Sequence, residues 1–296
     1  MGMREGGLAE AEGLDIDYVG FSYGAPLNQA ALAGSVDILL TADQPAVALM
    51  SRSDDYQIVS RMMYNRVCIY VPTDSGLQNP GDVSGKVLGG PIGAAAERVA
   101  ARVLAEHQAS DVRFVQLDMT AQNALLASHG PGADAWAGVD ALFGFDPLPA
   151  FFAEAKLARM LSCAPVVSVV VASRDLIENR SDELERFMAA FAQSWVWYAE
   201  DPSRANAAFV AASGLDFNDK QLDLAASLEP NFKASSLAEL KLTLDDGDLG
   251  KLIEARDFLA NKGAVPTDFD VSERIDLGPL TAALRDLQDR DAQVNQ

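Results

Sequence analysis

The stretch VLGGPIGAAAERVAARVLAEHQASDVRFVQL, residues 87–117, decides the fold because it contains a complete strand–turn–helix–strand unit. A short strand at 87–88 leads into a glycine-rich turn at 89–93. The helix that follows keeps Val99, Val103 and Leu104 on one apolar face. A second strand is expected at 112–117. This alternation predicts an α/β fold built on a largely parallel sheet.

The same alternation continues on both sides of this unit. From residue 181 onward the chain is expected to be helical, with Phe187, Phe191, Trp195 and Tyr198 forming a core-facing stripe. Two cysteines, Cys68 and Cys163, each lie beside a strand-like run, and we expect two buried free thiols. Pairing is the alternative if the two runs are neighbouring strands. Further strands are predicted at 14–19, 36–40, 58–62, 67–71, 139–143 and 166–172.

The order of these elements predicts two lobes. Residues 72–86 are rich in Pro, Gly, Ser and Asp, a composition typical of a crossover. The first lobe is expected to comprise residues 1–76 and 165–296, and the second, inserted lobe residues 77–164. Two crossings between lobes form a hinge, and a ligand is expected in the cleft beside it.

Composition excludes several classes of partner. The chain of 296 residues has 23 Lys and Arg against 43 Asp and Glu, a formal net charge of −20, and is 49% hydrophobic. A sizeable core can therefore form, while nucleic acid and anionic membrane surfaces are disfavoured by charge. No run of 18 apolar residues exists to span a membrane.

The sequence offers little support for catalysis or metal binding. Neither histidine, His107 or His129, lies in a nucleophile-elbow motif, and no Gly-x-Ser-x-Gly occurs. There is no His-x-x-x-His and no cysteine cluster of the kind that binds zinc. We therefore expect no catalytic residues, no metal and no cofactor.

Polar and glycine-rich loops follow the predicted strands, and ligands in α/β sheets gather at such strand ends. The turn at 89–93 is expected to point free backbone N–H groups at an anionic or polar ligand group. Each loop alone is equally consistent with an ordinary turn, but together they favour a binding site. The predicted ligand-binding residues are Ser22, Tyr23, Thr41, Ala42, Asp43, Tyr64, Gly93, Ala94, Ala95, Asp118, Phe145 and Asp146.

The order of short motifs resembles a known family. REGGLAEAEGL at 4–14, GSVDI at 34–38 and TADQPA at 41–46 come first, and GGPIGAAAER at 89–98 and GVDA at 138–141 follow. Together they look like the periplasmic solute-binding proteins for taurine, alkanesulfonates, nitrate and thiamine pyrimidine precursors. The resemblance implies a two-lobed type II binding fold, a small-molecule ligand, an ABC permease as partner, and a periplasmic or lipid-anchored monomer.

The chain departs from this family pattern in two places. The family's signal peptide and first strand are not recognisable, so we expect an amino terminus that was trimmed or is misplaced. At the helix start of the second lobe, Ala94 and Ala95 replace the frequent Ser or Thr. One hydroxyl contact to the ligand is then missing.

Charge narrows the range of ligands. The candidate loops contain Asp43, Asp118 and Asp146 with Glu97 nearby, and no Lys or Arg, so burying nitrate or bicarbonate there is costly. An amine, a zwitterion such as taurine, or a pyrimidine stacked on Tyr23, Tyr64 or Phe145 fits better. Arg61 or Arg66 would reverse this argument if either turned into the site.

Three functions are compatible with the sequence. The leading hypothesis is a binding protein without chemistry of its own, which delivers its ligand to an ABC importer. An enzyme on the same scaffold, similar to a sulfinate desulfinase or a pyrimidine synthase, is the alternative. A ligand-sensing module uses the same cleft and is the third.

Overall fold

A computed structural model describes residues 2–132, 136 and 138–294 of the chain. By its internal contacts the chain divides into two compact units. The first unit comprises Met1–Met63, Val167–Asp216 and Glu229–Gln296, and the second comprises Tyr64–Val166 and Phe217–Leu228. The predicted division into lobes of 1–76 with 165–296 and of 77–164 has different bounds and stays a prediction.

Strands and helices alternate through the first half of the chain, and helices dominate the second half. The strands are β1 Ile38–Ala42, β2 Tyr56–Val71, β3 Val87–Gly90, β4 Arg113–Gln116, β5 Ala141–Phe145 and β6 Arg159–Ser173. The helices are α1 Gly2–Glu5, α2 Leu8–Ala11, α3 Gly24–Leu32, α4 Asp43–Met50, α5 Ala95–Glu106, α6 Met119–His129, α7 Leu148–Glu154, α8 Arg174–Asn179, α9 Ser181–Glu200, α10 Pro202–Ser213, α11 Asp219–Ala226, α12 Asp246–Asn261 and α13 Gly278–Val294. Short 3-10 helices lie at Pro80–Val83, Pro230–Lys233, Leu237–Glu239 and Val271–Arg274. None of the described helices combines the length and the hydrophobicity that crossing a bilayer requires.

The core of the first unit lies around the long helix α9. Phe187, Phe191 and Trp195 are buried in one cluster with residues of β2 and β6, which confirms three members of the predicted core stripe. The fourth, Tyr198, is half-buried against the ring of Phe232. In the same unit β1 pairs antiparallel with β6, from Ile38 opposite Ala172 to Ala42 opposite Ser168. Burial of these apolar side chains is the main favourable term for this unit.

A buried ion pair also holds the first unit together. The Arg61 guanidinium donates two hydrogen bonds of 2.8 Å to the Glu229 carboxylate, and the two side chains are 1% and 0% exposed. The Nε of Arg61 donates to the carbonyl of Lys241 at 2.7 Å. Because a buried charge is tolerated only when it is paired and hydrogen-bonded, Arg61 serves the fold.

In the second unit, parallel strands set the geometry. β3 runs parallel to β4, with Val87 opposite Arg113, and parallel to β5, with Leu88 opposite Ala141. β2 pairs antiparallel with β5, with Val67 opposite Phe145. The carboxyl ends of β3, β4 and β5 therefore lie at one edge of the sheet, where their following loops begin.

The sheet differs from the prediction in the direction of its strands. The hydrogen-bonded strand order is β1-β6-β2-β5-β3-β4, and the pairs β1–β6 and β2–β5 are antiparallel. The sheet is therefore mixed, and the expectation of a largely parallel sheet was wrong. The two strands predicted at 58–62 and 67–71 form one continuous strand, because β2 passes through Tyr64 and Asn65 without interruption.

The strand predicted at residues 14–19 is not formed, although its polar–apolar alternation is strand-like. β1 is the edge strand of the sheet, and residues 14–19 are not among its partners. Leu14 and Ile16 instead pack against the α9 core cluster. Alternation alone does not create a strand, since a strand also needs a neighbour for its backbone hydrogen bonds.

The two cysteines form a disulfide, so the expectation of two free thiols was wrong. Cys68 lies on β2 and Cys163 on β6, and their Cα atoms are 4.1 Å apart. These strands are neighbours in the sheet, which is the condition under which the sequence allowed pairing. No cysteine of the chain remains free.

Reduction of the disulfide should destabilise the protein. The bond joins residues 95 apart in sequence, and crosslinks that close long loops add about 2–4 kcal/mol to the free energy of unfolding. We expect a strong reductant to lower the thermal midpoint by several degrees, measured by calorimetry with thiol titration to confirm reduction. The double variant Cys68→Ser/Cys163→Ser is the control, because its midpoint should not respond to reductant. An unchanged midpoint in the fully reduced wild type would show that the bond contributes nothing.

Candidate functional site

In the first unit the predicted residues lie around the starts of two helices. Thr41 and Ala42 end β1, and Asp43 is the first residue of α4. The Asp43 side chain is buried, and its Oδ1 accepts a hydrogen bond of 2.7 Å from the backbone N–H of Gln44. A carboxylate in this position complements the positive end of the helix dipole.

The start of α3 comes close to the start of α4. A Cβ atom on Gly24 would overlap the ring of Pro45 and would lie 3.3 Å from Oγ1 of Thr41. The side-chain amide of Asn28 donates to the carbonyl of Pro45 at 2.8 Å. These contacts bring Ser22 and Tyr23, which precede α3, to the region of Thr41, Ala42 and Asp43. Ser22 is exposed there and Tyr23 is half-buried.

In the second unit the predicted residues share the carboxyl edge of the parallel strands. Gly93 and Ala94 connect β3 to α5, which begins at Ala95. Asp118 follows β4, Phe145 ends β5, and Asp146 follows it. Because Val67 pairs with Phe145 in antiparallel orientation, the earlier residues of β2, including Tyr64, continue past the end of β5. The structure thus brings this set of predicted residues to one edge.

Two of the predicted carboxylates are committed to local structure. Asp146 accepts from Nε of Arg66 at 2.6 Å and from the backbone N–H of Ala150 at 2.9 Å. Burial raises the pKa of the Asp146 carboxyl, while Arg66 and the Ala150 N–H act in the opposite direction. Asp118 is the N-cap of α6 and accepts from the N–H of Ala121 at 2.9 Å. Each carboxylate therefore already makes a structural contact, and only its remaining lone pairs are open to a ligand.

The two arginines that could reverse the charge argument are both paired. Arg66 is in the ion pair with Asp146, and Arg61 is in the buried pair with Glu229. Each arginine is therefore matched by a carboxylate of its own unit. Arg98, a residue that the sequence reasoning did not consider, lies in the first turn of α5 and is 2% exposed.

The glycine turn differs from the expectation of free N–H groups. The N–H of Ile92 donates to Oε1 of Gln116 at 2.9 Å, and the N–H of Gly93 donates to Oε2 of Glu97 at 2.8 Å. Gly93 has a φ of 89°, a conformation that disfavours any residue with a Cβ. Two N–H groups of the turn are thus already bonded to side chains of the same unit.

Tyr70 and Gln122 form a buried polar cluster near this edge, which was not predicted from the sequence. The Tyr70 hydroxyl donates to Oε1 of Gln122, whose Nε2 donates to the carbonyls of Leu117 at 2.8 Å and Phe143 at 3.0 Å. Burial raises the pKa of the Tyr70 hydroxyl well above its usual range. The cluster joins β2, β5 and α6 at fixed positions. Nothing in the spacing of these residues along the sequence indicates that they meet.

A family model described as NMT1/THI5-like matches residues 4–205, which is more than half of the chain. No curated protein sequence matches the chain.

Solved structures show the same fold at low sequence identity. The periplasmic sulfonate-binding protein SsuA of a putative sulfonate ABC transporter from Methylobacillus flagellatus is 16% identical, with a TM-score of 0.72 over 95% of this chain and 86% of that chain. The alkanesulfonate-binding protein SsuA from Xanthomonas axonopodis pv. citri, bound to MOPS, is 19% identical, with a TM-score of 0.66 over 92% of each chain. These similarities confirm the predicted periplasmic-binding-protein fold.

An enzyme shares the fold as well. A cysteine-to-serine mutant of DszB in complex with biphenyl-2-sulfinic acid is 15% identical, with a TM-score of 0.71 over 96% of this chain and 95% of that chain. The fold therefore occurs in both binding proteins and enzymes, and does not by itself decide between them.

Replacing Gly24 by Ala tests the close approach of α3 and α4. The added methyl group would overlap Pro45, and overpacking of this kind costs about 1–3 kcal/mol. We expect Gly24→Ala to lower the free energy of unfolding by that amount, measured by chemical denaturation. Gly20→Ala is the matched control, because a Cβ there meets nothing within 4 Å. Equal stability of the two variants would contradict the proposed approach of the helices.

Proposed function

Since the chain belongs to the NMT1/THI5-like family, we propose that it binds a small organic molecule and delivers it to an ABC importer. The observation that carries the proposal is the grouping of strand-end loops within each unit. In the first unit Gly24, which directly follows Ser22 and Tyr23, lies close to Thr41 and Pro45. In the second unit the loops begin at the carboxyl edge of parallel strands. In α/β proteins that edge is where ligands bind.

The proposed ligand is a sulfonate, an amine-bearing zwitterion or a pyrimidine. The sulfonate class is supported by the similar SsuA proteins, which are described as binding sulfonates. Aromatic rings of Tyr23, Tyr64 and Phe145 could stack on a heterocycle, and Asp43 could meet an ammonium group. All the residues predicted from the sequence remain the proposed ligand-binding set.

The proposed location is extracytoplasmic, with an ABC permease as partner and the chain acting as a monomer. Similar structures are periplasmic components of transporters. The disulfide between Cys68 and Cys163 supports the same location, because disulfides persist in oxidising compartments. Neither a metal nor a cofactor is part of the proposal.

An enzyme is the second candidate, since the desulfurization enzyme DszB shares the fold. The resemblance implies a cysteine in the cleft of the sulfinate desulfinases. Both cysteines of this chain are in the disulfide, so neither offers a thiolate as nucleophile. This pairing favours the binding role over the desulfinase role.

A thermal-shift panel of taurine, alkanesulfonates, nitrate, aminopyrimidines and aryl sulfinates tests the binding role. A ligand at 100 times its dissociation constant adds about 2.7 kcal/mol to stability, which raises the midpoint by several degrees. We expect one chemical class to stabilise the protein and to be recovered unchanged. No stabilisation by any class would count against a binding function, and release of sulfite from an aryl sulfinate would establish the enzyme instead.

Asp43→Asn tests the first unit's part in binding. The amide keeps an acceptor for the Gln44 N–H but removes the negative charge, so we expect several-fold weaker binding of an amine-bearing ligand by calorimetric titration. Asp246→Asn is the matched control, because Asp246 is also the first residue of its helix but is exposed. If both variants bind the amine like the wild type, Asp43 does not belong to the site.

A further inference from the structure

Arg66 has a hydrogen-bonding edge that its ion pair does not use. A guanidinium carries five N–H groups in one plane, one on Nε and two on each terminal nitrogen. The Asp146 carboxylate accepts from Nε at 2.6 Å and from Nη2 at 3.3 Å, and so occupies two of the five. The other N–H groups, both on Nη1 and the outer one on Nη2, make no hydrogen bond with any described residue.

The open edge of Arg66 lies at the carboxyl end of the parallel strands of the second unit. Asp146 directly follows β5, and its N–H donates to the carbonyl of Arg66 at 3.0 Å, so the two residues face each other across β2 and β5. The guanidinium is held beside the Asp146 carboxylate. It therefore lies where the loops after the parallel strands begin, which is the edge at which ligands bind in α/β proteins.

The pair is nearly buried and is held in one orientation. The Arg66 and Asp146 side chains are 11% and 2% exposed, and the N–H of Ala150 donates to Asp146 at 2.9 Å. A charged donor in such a position is stable when its N–H groups find acceptors. No nitrogen of Arg66 belongs to the enclosed donors that lack a partner within the described residues, so an acceptor can reach the open edge from outside.

We propose that the open Nη1–Nη2 edge of Arg66 binds the oxyanion of the ligand, a sulfonate, sulfinate or carboxylate, and that Asp146 is the residue that positions it. The proposal rests on the binding function above and narrows the ligand to molecules with an anionic end. The two outward N–H groups of this edge are parallel, and their spacing matches two oxygen atoms of one anionic group.

Asp146 balances the charge of Arg66 but leaves its second edge available. The two edges of a guanidinium meet different acceptors, and hydrogen bonds from a charged donor to an anion are stronger than neutral ones. Asp118, another carboxylate at this edge of the sheet, accepts the N–H of Ala121 as the cap of α6. A ligand oxyanion at Arg66 is thus received by N–H donors of a cation, which offsets the cost of its desolvation.

Anionic and neutral probes of the same shape test the proposal in the wild type. The probes are 1-propanesulfonate against 1-propanesulfonamide, and benzenesulfonate against benzenesulfonamide. The members of each pair differ in charge and hardly in volume. We expect the sulfonate of at least one pair to bind ten or more times more tightly than its sulfonamide, by calorimetric titration. A wild-type protein that binds the sulfonamides as tightly as the sulfonates would overturn the proposal, whatever the variants do.

Two variants assign the preference to Arg66. Arg66→Lys keeps the charge but replaces the two-edged guanidinium by a point donor that cannot serve Asp146 and a ligand in the same geometry. The double variant Arg66→Gln/Asp146→Asn removes both charges together, so no unpaired charge stays buried. In each we expect the sulfonate-to-sulfonamide affinity ratio to fall at least tenfold, with cooperative thermal unfolding retained.

Arg113→Lys and Arg113→Gln are the matched controls. Arg113 belongs to the same unit but is exposed at the first residue of β4, the end of that strand opposite to its carboxyl edge. The affinity ratios of both control variants should equal that of the wild type. A fall in the controls as large as in the Arg66 variants would show that the preference follows net charge, and would overturn the proposal.

Failure of the inference and failure of the binding function give different results. Binding of amines or pyrimidines with no binding of sulfonates leaves the binding function in place and removes the proposed role of Arg66. An unchanged ratio in an Arg66 variant that unfolds cooperatively does the same. Silence of the wild type with every probe, in titration and in the wider thermal-shift panel, would reject both.

Discussion

The parallel alignment of β3 with β4 and β5 is the constraint on which the candidate site of the second unit depends. Parallel strands end at the same edge, so the loops after all three begin side by side although they are far apart in sequence. The close approach of β3 to β5 requires glycine at residue 90, because a Cβ there would overlap the ring of Phe143. Small residues in β3 thus let β5 carry a large aromatic side chain.

The charged side chains at this edge make contacts within the second unit that stabilise its fold. The pair of Arg66 and Asp146 ties β2 to the end of β5, and Asp118 caps α6. A count of acidic residues in the loops therefore overstates the negative charge that a ligand would meet. Glu97 differs from these because its carboxylate covers the turn that precedes its own helix.

Local sequence patterns were sufficient to predict many of the strands and helices. The unit at 87–117 was placed to within a few residues, because β3, α5 and β4 each have a clear periodicity and a turn between them. The capping contact between Glu97 and Gly93 is also local, four residues apart, and could have been read from the sequence. The family resemblance then supplied the architecture, which the similar structures confirm.

Contacts between residues far apart in the chain could not be predicted from the sequence. Arg66 and Asp146 are 80 residues apart, and Cys68 and Cys163 are 95 apart, so only knowledge of which strands are neighbours reveals either pair. The failure at residues 14–19 is also non-local, because Leu14 and Ile16 pack against the α9 core cluster and the segment pairs with no strand of the sheet. Strand direction was mistaken for β2 and β6 since periodicity is identical for parallel and antiparallel strands.

Amide hydrogen exchange with and without bound ligand, followed by mass spectrometry, tests most directly whether the strand-end loops form the site. The account predicts slower exchange in peptides that cover residues 20–25, 41–46, 62–66, 91–97, 116–120 and 145–150, with the rest of the chain little changed. Protection confined to another surface would contradict it. A groove in the first unit, lined by Asp182, Arg186, Asp286 and Arg290, is one such surface.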